Sequence, residues 1–432
     1  MKELNKNQLP TACKWVKLGE VCDLQNGFAF KSNDYTNNSN TLIFRMSQIR
    51  PGGSLDLNHN SKYLPDNFVA KYKNYLLSDG DVVIAMTDMA AETKILGLPT
   101  YFKSDGRNFL LNQRVGRLFD FNTNDIDVKF LRYILSSPDI IQYYKSFGKG
   151  ALQINLGKSD ILNAKIPIPP IATQLAIVSK IEELFSEIEK GIESLFTAQQ
   201  QLKTYRQSVL KWAFEGKLTN ENVKDGELPK GWRMVKTIDV IKIINNGYTP
   251  TSQYLSQGSG EVPFIKVYNL NFNGTLNFKK NPTFIPEVTH KKDLKRSICL
   301  PGDVLINIVG PPLGKVSVVT NQYPEWNINQ AIVMFRPNEN VLSKYISYFM
   351  QNAVTTNWLE NTSKATAGQW NVKVSTCREI LFPFCSIEEQ LKVVEEIESR
   401  LSVADKMEES INQSLQQAEA LRQSILKKAF EG

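Results

Sequence analysis

The chain carries two kinds of hydrophobic pattern in alternation. From about Ile171 to Phe214 there is no proline and a single glycine, Gly191. Apolar residues recur there every seven positions, at Ile181, Ile188, Leu195, Leu202 and Val209, with a second row three later at Leu184, Gly191, Ala198, Tyr205 and Trp212. A heptad stripe of that length predicts a coiled-coil helix. A second stripe runs through Ile397, Ala404, Ile411, Ala418 and Ile425, flanked by Val394, Leu401 and Leu415, with Glu408 interrupting the flank. Pro167, Pro169 and Pro170 precede the first helix and Pro383 the second. Proline is tolerated at a helix start because the N–H it lacks has no helical partner there. Ser386 is a candidate cap for the second helix, with Glu389 as its capping-box partner.

The remaining stretches, about 15–165 and 232–381, read as strand and turn. Short β-branched or aromatic runs bounded by Gly, Asp, Asn or Pro occur at Leu42–Met46, Val82–Met86, Val262–Val267, Val304–Val309 and Lys315–Thr320. Short helices are expected near Val128–Leu135 and Ser343–Gln351. The predicted class is α+β.

These patterns are one unit written twice. Arg206-Gln-Ser-Val-Leu-Lys-Trp-Ala-Phe-Glu-Gly216 matches Arg422-Gln-Ser-Ile-Leu-Lys-Lys-Ala-Phe-Glu-Gly432 at nine of eleven positions. At the same offset Asn155, Pro167 and Gln174 fall on Asn371, Pro383 and Gln390. Further upstream the offset drifts, as loop insertions would cause. There Asn26-Gly27-Phe28 matches Asn246-Gly247-Tyr248, Gly80-Asp81-Val82 matches Gly302-Asp303-Val304, and Asn112-Gln113 matches Asn329-Gln330. The predicted order is globule (1–166), helix (167–216), globule (217–382), helix (383–432). A two-fold relation between the halves would make the helices antiparallel. The loops diverge far more than the helices, as two scaffolds with different targets would.

Composition narrows the chemistry. The five cysteines are scattered without a C-x-x-C, and the histidines are His59 and His290 alone. Neither a disulfide framework nor a zinc site is expected, and a cytoplasmic setting fits. No apolar run reaches membrane-spanning length, and Met1–Pro10 is polar, unlike a secretory leader. Net charge is +7, compatible with a polyanionic partner. Catalytic motifs fail in detail. Gly157-Lys158-Ser159 lacks the upstream glycine of a phosphate loop, since Leu152 stands there. Asn281-Pro282-Thr283-Phe284 only partly matches a methyltransferase tetrad and has no counterpart in the first half. Glu92-Thr93-Lys94 after Asp81 loosely resembles nuclease spacing and is likewise unrepeated. The expectation is a chain with no active site or metal of its own.

In their order and duplication, several segments resemble the specificity subunits of type I restriction–modification enzymes. They are Trp15-Val-Lys-Leu-Gly-Glu-Val21, the Gly80-Asp81-Val82 turn, Gly148-Lys-Gly-Ala-Leu-Gln-Ile-Asn-Leu-Gly157, Ile166-Pro-Ile-Pro-Pro-Ile-Ala-Thr-Gln174 and the Leu-Lys-x-Ala-Phe-Glu-Gly helix ends. The resemblance implies two target-recognition domains separated by two long helices in an antiparallel coiled coil. Each domain would read half of a split site in double-stranded DNA. The coiled coil would set the unread spacer and dock two methyltransferase subunits, which bring S-adenosylmethionine. Restriction/translocase subunits, using ATP and magnesium, would join for cleavage. The second helix start, Phe382-Pro-Phe-Cys-Ser-Ile-Glu-Glu-Gln390, departs from the pattern by lacking a second proline.

Basic and amide side chains on loops are the expected readers of base edges. Candidates in the first globule are Arg45, Arg114, Lys149 and Gln153; in the second they are Lys266, Asn269, Lys364, Gln369 and Trp370. Gln113 and Gln330 are equally well read as structural, and Lys291, Lys292, Lys295 and Arg296 as a solvated face or phosphate contacts. For protein partners the helix ends are the candidates: Arg206, Lys211, Trp212, Arg422 and Lys427. Trp212 fits either a partner anchor or the helix seam. The competing reading is a coiled-coil scaffold whose β-rich modules bind proteins and not DNA.

Overall fold

The computed structural model describes residues 13–148, 152–220, 222–366 and 369–430. It contains two compact units, Met1–Leu195 with Gln413–Gly432, and Phe196–Asn412. The boundaries cut through both long helices, so each unit holds one globule, the start of one helix and the end of the other.

In the first unit a four-stranded antiparallel sheet runs Asp23–Asn26, Val115–Phe119, Val82–Ala85, Pro99–Tyr101. Val82–Ala85 is an unbroken apolar run because both its faces are buried. A smaller sheet places Thr41–Phe44 between Tyr63–Leu64 and, in parallel, Asn108–Leu111. In the second unit the four-stranded sheet is Ile241–Asn246, Ile332–Pro337, Val304–Asn307, Val316–Val318. The other sheet has five strands, with Val262–Ile265 parallel to Trp326–Ile328. The expected strands are all present, one to three residues shorter. The helices Val128–Leu135 and Ser343–Gln351 fall where expected.

A two-stranded ribbon feeds each long helix: Lys14–Lys17 against Lys165–Ile168, and Arg233–Lys236 against Leu381–Phe384. The helices then run Ile171–Phe214 and Ile387–Phe430. Ser386 caps the second, its hydroxyl accepting from the Glu389 N–H at 3.3 Å. The Glu389 carboxylate turns elsewhere, accepting from Thr219 and Asn220.

The paired helix segments are antiparallel. In the second unit Gln199 bonds Asn412, while Arg206 pairs with Asp405 and Glu408, so one number rises as the other falls. In the first unit Arg422 pairs with Glu189 at 2.8 Å, the repeat equivalent of Arg206 with Asp405. Glu408, which interrupts the apolar flank, is therefore an ion-pair partner. The expected second row on the first helix holds at Leu184, Ala198 and Tyr205, which are partly buried, and fails at two positions. Gly191 and Trp212 are exposed, while Phe185, Ile192, Gln199, Arg206 and Ala213, four residues after the first row, are at least partly buried. Steps of three and four straddle the same stripe at 3.6 residues per turn, and Gly191 has no side chain to hold the seam.

Each globule's core is completed by a helix end from the other half of the sequence. Leu426 and Phe430 join Val178 and Ile181 in the first core. Phe430 meets Phe130 edge-on, ring centres 5.5 Å apart. Val209, Leu210, Ala213 and Phe214 join Val393, Val394 and Ile397 in the second, where Phe214 packs edge-on against Tyr345 and Phe349. The repeated Ala-Phe pair thus has an internal use. No helix among the described residues is long and apolar enough to cross a membrane.

Candidate nucleic-acid interface

One turn in each globule gathers the ends of several strands. In the first it is Asn112–Arg114, between Asn108–Leu111 and Val115–Phe119. The Asn112 N–H donates to Phe44 O, the Gln113 N–H to Phe28 O, and the Met86 N–H to Arg114 O, all at 3.0 Å. This holds together the residues that follow Phe44, Gly27 and Met86. Gly27 is required by close approach: a Cβ there would lie 2.2 Å from Asn112 O. The second globule repeats two of these bonds and the glycine contact, while the Gln330 N–H donates to the Thr249 hydroxyl at 3.4 Å. The Asn329 N–H donates to Ile265 O at 3.0 Å, the Ile308 N–H to Ala331 O at 2.8 Å, and a Cβ on Gly247 would lie 2.1 Å from Ile328 O.

The side chains carried by this hub differ. After the first parallel strand comes Arg45, half-buried, its Nη1 donating to Asn60 O at 3.3 Å. Its counterpart is Lys266, also half-buried. Arg114 is exposed where the second globule has Ala331. The loop after each is shaped by a fully buried amide. Gln48 accepts from the Arg45 N–H at 2.8 Å and donates to Leu57 O; Asn269 accepts from the Lys266 N–H at 2.9 Å and donates to Asn277 O and Lys280 O. Asn269 was expected among the readers. Its amide is instead consumed by backbone, so it shapes the Lys266 loop and presents nothing to a ligand.

A further strand borders each hub. Gln153–Asn155 pairs with Thr87–Met89, placing Gln153, half-buried, opposite Met89. Gln369–Asn371 pairs with Val309–Gly310 and with a further strand, Lys364–Thr366, so Lys364 and Gln369 lie in a hairpin. Trp370 packs partly against the second core. Lys149 lies outside the described residues. Gln113 and Gln330 are both exposed at the hub turn.

Residue-type reasoning missed three neighbours. Met89 and Leu152 are 55% and 89% exposed beside Gln153; a search for bases and amides passes over apolar side chains, though these can meet a thymine methyl. Lys315 donates to Val267 O at 3.4 Å, next to Lys266, with its ammonium 5.8 Å from the centre of the Phe272 ring. Only its place at a strand start was legible.

The helix-end candidates have internal partners or face outward. Arg206 and Arg422 are held in the ion pairs above, and Arg422 also lies over the Phe185 ring. Lys211 is exposed, 3.8 Å from Glu215. Trp212 is 41% exposed, so it does not fill the seam. Lys427 lies on an exposed face. The motif fragments have structural uses. The Gly157 N–H is capped by Asp160 and Lys158 pairs with Asp23, whose carboxyl that contact holds below its usual range. Asp81 is engaged by Arg117, and Phe284 of the Asn-Pro-Thr-Phe segment is buried.

A family model described as the type I restriction modification DNA specificity domain matches residues 10–195 and again 229–419. The chain belongs to that family. Both matches hold one hub and one helix start. Among its relatives, the type I restriction enzyme EcoBI specificity subunit of Escherichia coli is 24% identical over 96% of this chain and 85% of that one. The EcoKI specificity subunit of Escherichia coli strain K12 is 25% identical over 99% and 90%. A chain solved in work on complex assembly and conformational transition of the type I R-M system shares the fold, with a TM-score of 0.66 at 18% identity over 98% of this chain and 99% of that one. The HsdS subunit from Thermoanaerobacter tengcongensis aligns with a TM-score of 0.51 at 19% identity, over 98% of each chain. The chain is thus a type I restriction–modification specificity subunit with two tandem target-recognition domains.

Proposed function

We propose that this specificity subunit is a non-catalytic reader of a split site in double-stranded DNA, each recognition domain reading one half. The observation that carries this reading is the hub built twice on two shared backbone hydrogen bonds and the same close glycine contact but dressed differently. Arg45 and Arg114 stand where Lys266 and Ala331 stand, and Gln153-Ile154 is answered by Gln369-Trp370. A shared frame with different side chains fits two different half-sites. The antiparallel helices set the unread spacer between them, because half-site spacing follows the separation of the reading elements.

The helices also dock two methyltransferase subunits, which bring S-adenosylmethionine. Restriction/translocase subunits with ATP and magnesium complete the complex in the cytoplasm. Exposed Trp212 and Lys211 support a partner surface near the first helix end, since aromatic anchors dominate such contacts.

The test is methylome sequencing of cells expressing the chain with its methyltransferase partner. A split, asymmetric motif that requires this chain supports the reading, and replacing one recognition domain should change one half of the motif only. Modification independent of the chain would favour a protein-binding scaffold.

A further inference from the structure

Where each recognition domain meets its helix, a glutamine is sealed in. Gln174, in the first turns of one helix, is fully buried. Its Oε1 accepts from the Asp127 N–H at 2.9 Å, and its Nε2 donates to Asp125 O at 2.8 Å and Pro169 O at 2.7 Å. Gln390 does the same at the second helix. It accepts from the Leu342 N–H at 3.0 Å and donates to Asn340 O at 2.9 Å and Cys385 O at 3.0 Å, and it too is fully buried. One amide thus ties two backbone stretches to the long helix: the loop before the short helix of the domain, through a carbonyl and the N–H of that helix's N-cap residue, and the carbonyl two residues ahead of the long helix. A flat amide satisfied at three points fixes rotation as well as distance, which apolar contacts do not.

We infer that Gln174 and Gln390 are positioning residues that lock the angle of each recognition domain on its helix, and so set how strictly the spacer length is read. The inference rests on the split-site reading proposed above. Adding one base pair moves a half-site by about 3.4 Å and turns it by roughly 35°. A joint that yields through such an angle would accept the wrong spacer while reading the same bases. Other ties at this junction are the apolar packing of Val178 and Ile181, the strand ribbon, and the exposed ion pair of Lys129 with Glu182, repeated as Lys344 with Glu398. An exposed pair of flexible side chains contributes little, so the buried amide is the directional tie between the domain's short helix and the long helix.

The test uses the full subunit assembled with its methyltransferase partner. The substrates are duplexes carrying both half-sites with the native spacer or one base pair more or fewer. Gln174→Met keeps the volume and removes all three hydrogen bonds, and Gln390→Met does so in the other unit. Ile181→Val serves as a control that loosens the apolar packing at this junction while leaving the amide's three hydrogen bonds in place. The expected result is that preference for the native spacer falls by about tenfold or more in each methionine variant, while discrimination within each half-site is unchanged and Ile181→Val behaves as wild type. If the methionine variants do not assemble, Gln174→Asn, too short to reach all three groups, is read in the same way. Unchanged spacer preference in variants of a protein that modifies a split motif overturns this inference alone. The same holds for equal loss of spacer and sequence discrimination. A wild-type protein with no split motif overturns the functional reading and this inference with it.

Discussion

Arg336 grips Asp303 through two nitrogens, Nε to Oδ1 at 2.9 Å and Nη2 to Oδ2 at 2.7 Å. The Asp303 side chain is 2% exposed, and its backbone closes a turn in which Gly302 has a φ of +91°. The first unit has the same device in a looser form. Arg117 reaches Asp81 at 3.1 Å with both side chains more than a fifth exposed, after Gly80 at the same φ. Removing one partner of a buried pair is costly because the other charge stays buried. Asp303→Asn should therefore destabilise by about 3 kcal/mol and Asp81→Asn by roughly 1 kcal/mol. Hydrogen exchange across 298–306 and 76–85 in the two variants would rank them; equal loss of protection would contradict the burial argument.

At the hubs, Gly27→Ala and Gly247→Ala should both disrupt the turn bearing the proposed reading residues. The new methyl would overlap carbonyl oxygens of Asn112 and Ile328, which are backbone and cannot swing away. A cost of about 2–3 kcal/mol is expected from overpacking, with loss of DNA binding, measured by thermal melting and filter binding.

Arg114→Ala and Lys266→Ala should act on different halves of the motif. If Arg114 reads a base, binding weakens by roughly tenfold to a hundredfold and discrimination relaxes at one position of one half-site. If it meets phosphate, the salt slope falls by about one instead. Methylome sequencing plus a salt titration separates the two, and no effect on either would remove Arg114 from the interface.

Gly191→Ala should stabilise the chain. The position is exposed, and a Cβ there meets nothing within 4 Å, so the helix gains about 0.5–1 kcal/mol without strain. Urea unfolding should show the gain, and DNA modification should be unchanged.

The thiols should be quiet. Burial raises Cys22 and Cys377 to about 12 and Cys385 to about 11, and Cys299 well above its ordinary value. The thiolate is the reactive form, so at pH 8 alkylation should reach Cys13, which is only partly buried, before any of the other four. Mass spectrometry after timed iodoacetamide treatment checks the order.

The helix limits, the short helices and the strand cores were legible because each is encoded by neighbouring residues. A heptad stripe from Ile181 to Val209, or an apolar run such as Val82–Ala85, states its own period. The candidate interface was legible only in part. Arg45, Arg114 and Lys266 were chosen by residue type and do lie at the hubs. Asn269 has the right chemistry and is buried, while Met89 and Leu152 have the wrong chemistry for that search and are exposed.

The sequence by itself determined that the protein is one unit written twice, with two long helices and two differently decorated β-rich globules. Repeats and periodicities survive in one dimension. Only the tertiary structure decided that Phe214 completes the second core and Phe430 the first, that Glu408 is an ion-pair partner of Arg206, and that Gln174 and Gln390 seal the joints. Those contacts join residues far apart along the chain. What satisfies a buried amide or fills a core depends on which segment folding brings there, and no local pattern records it.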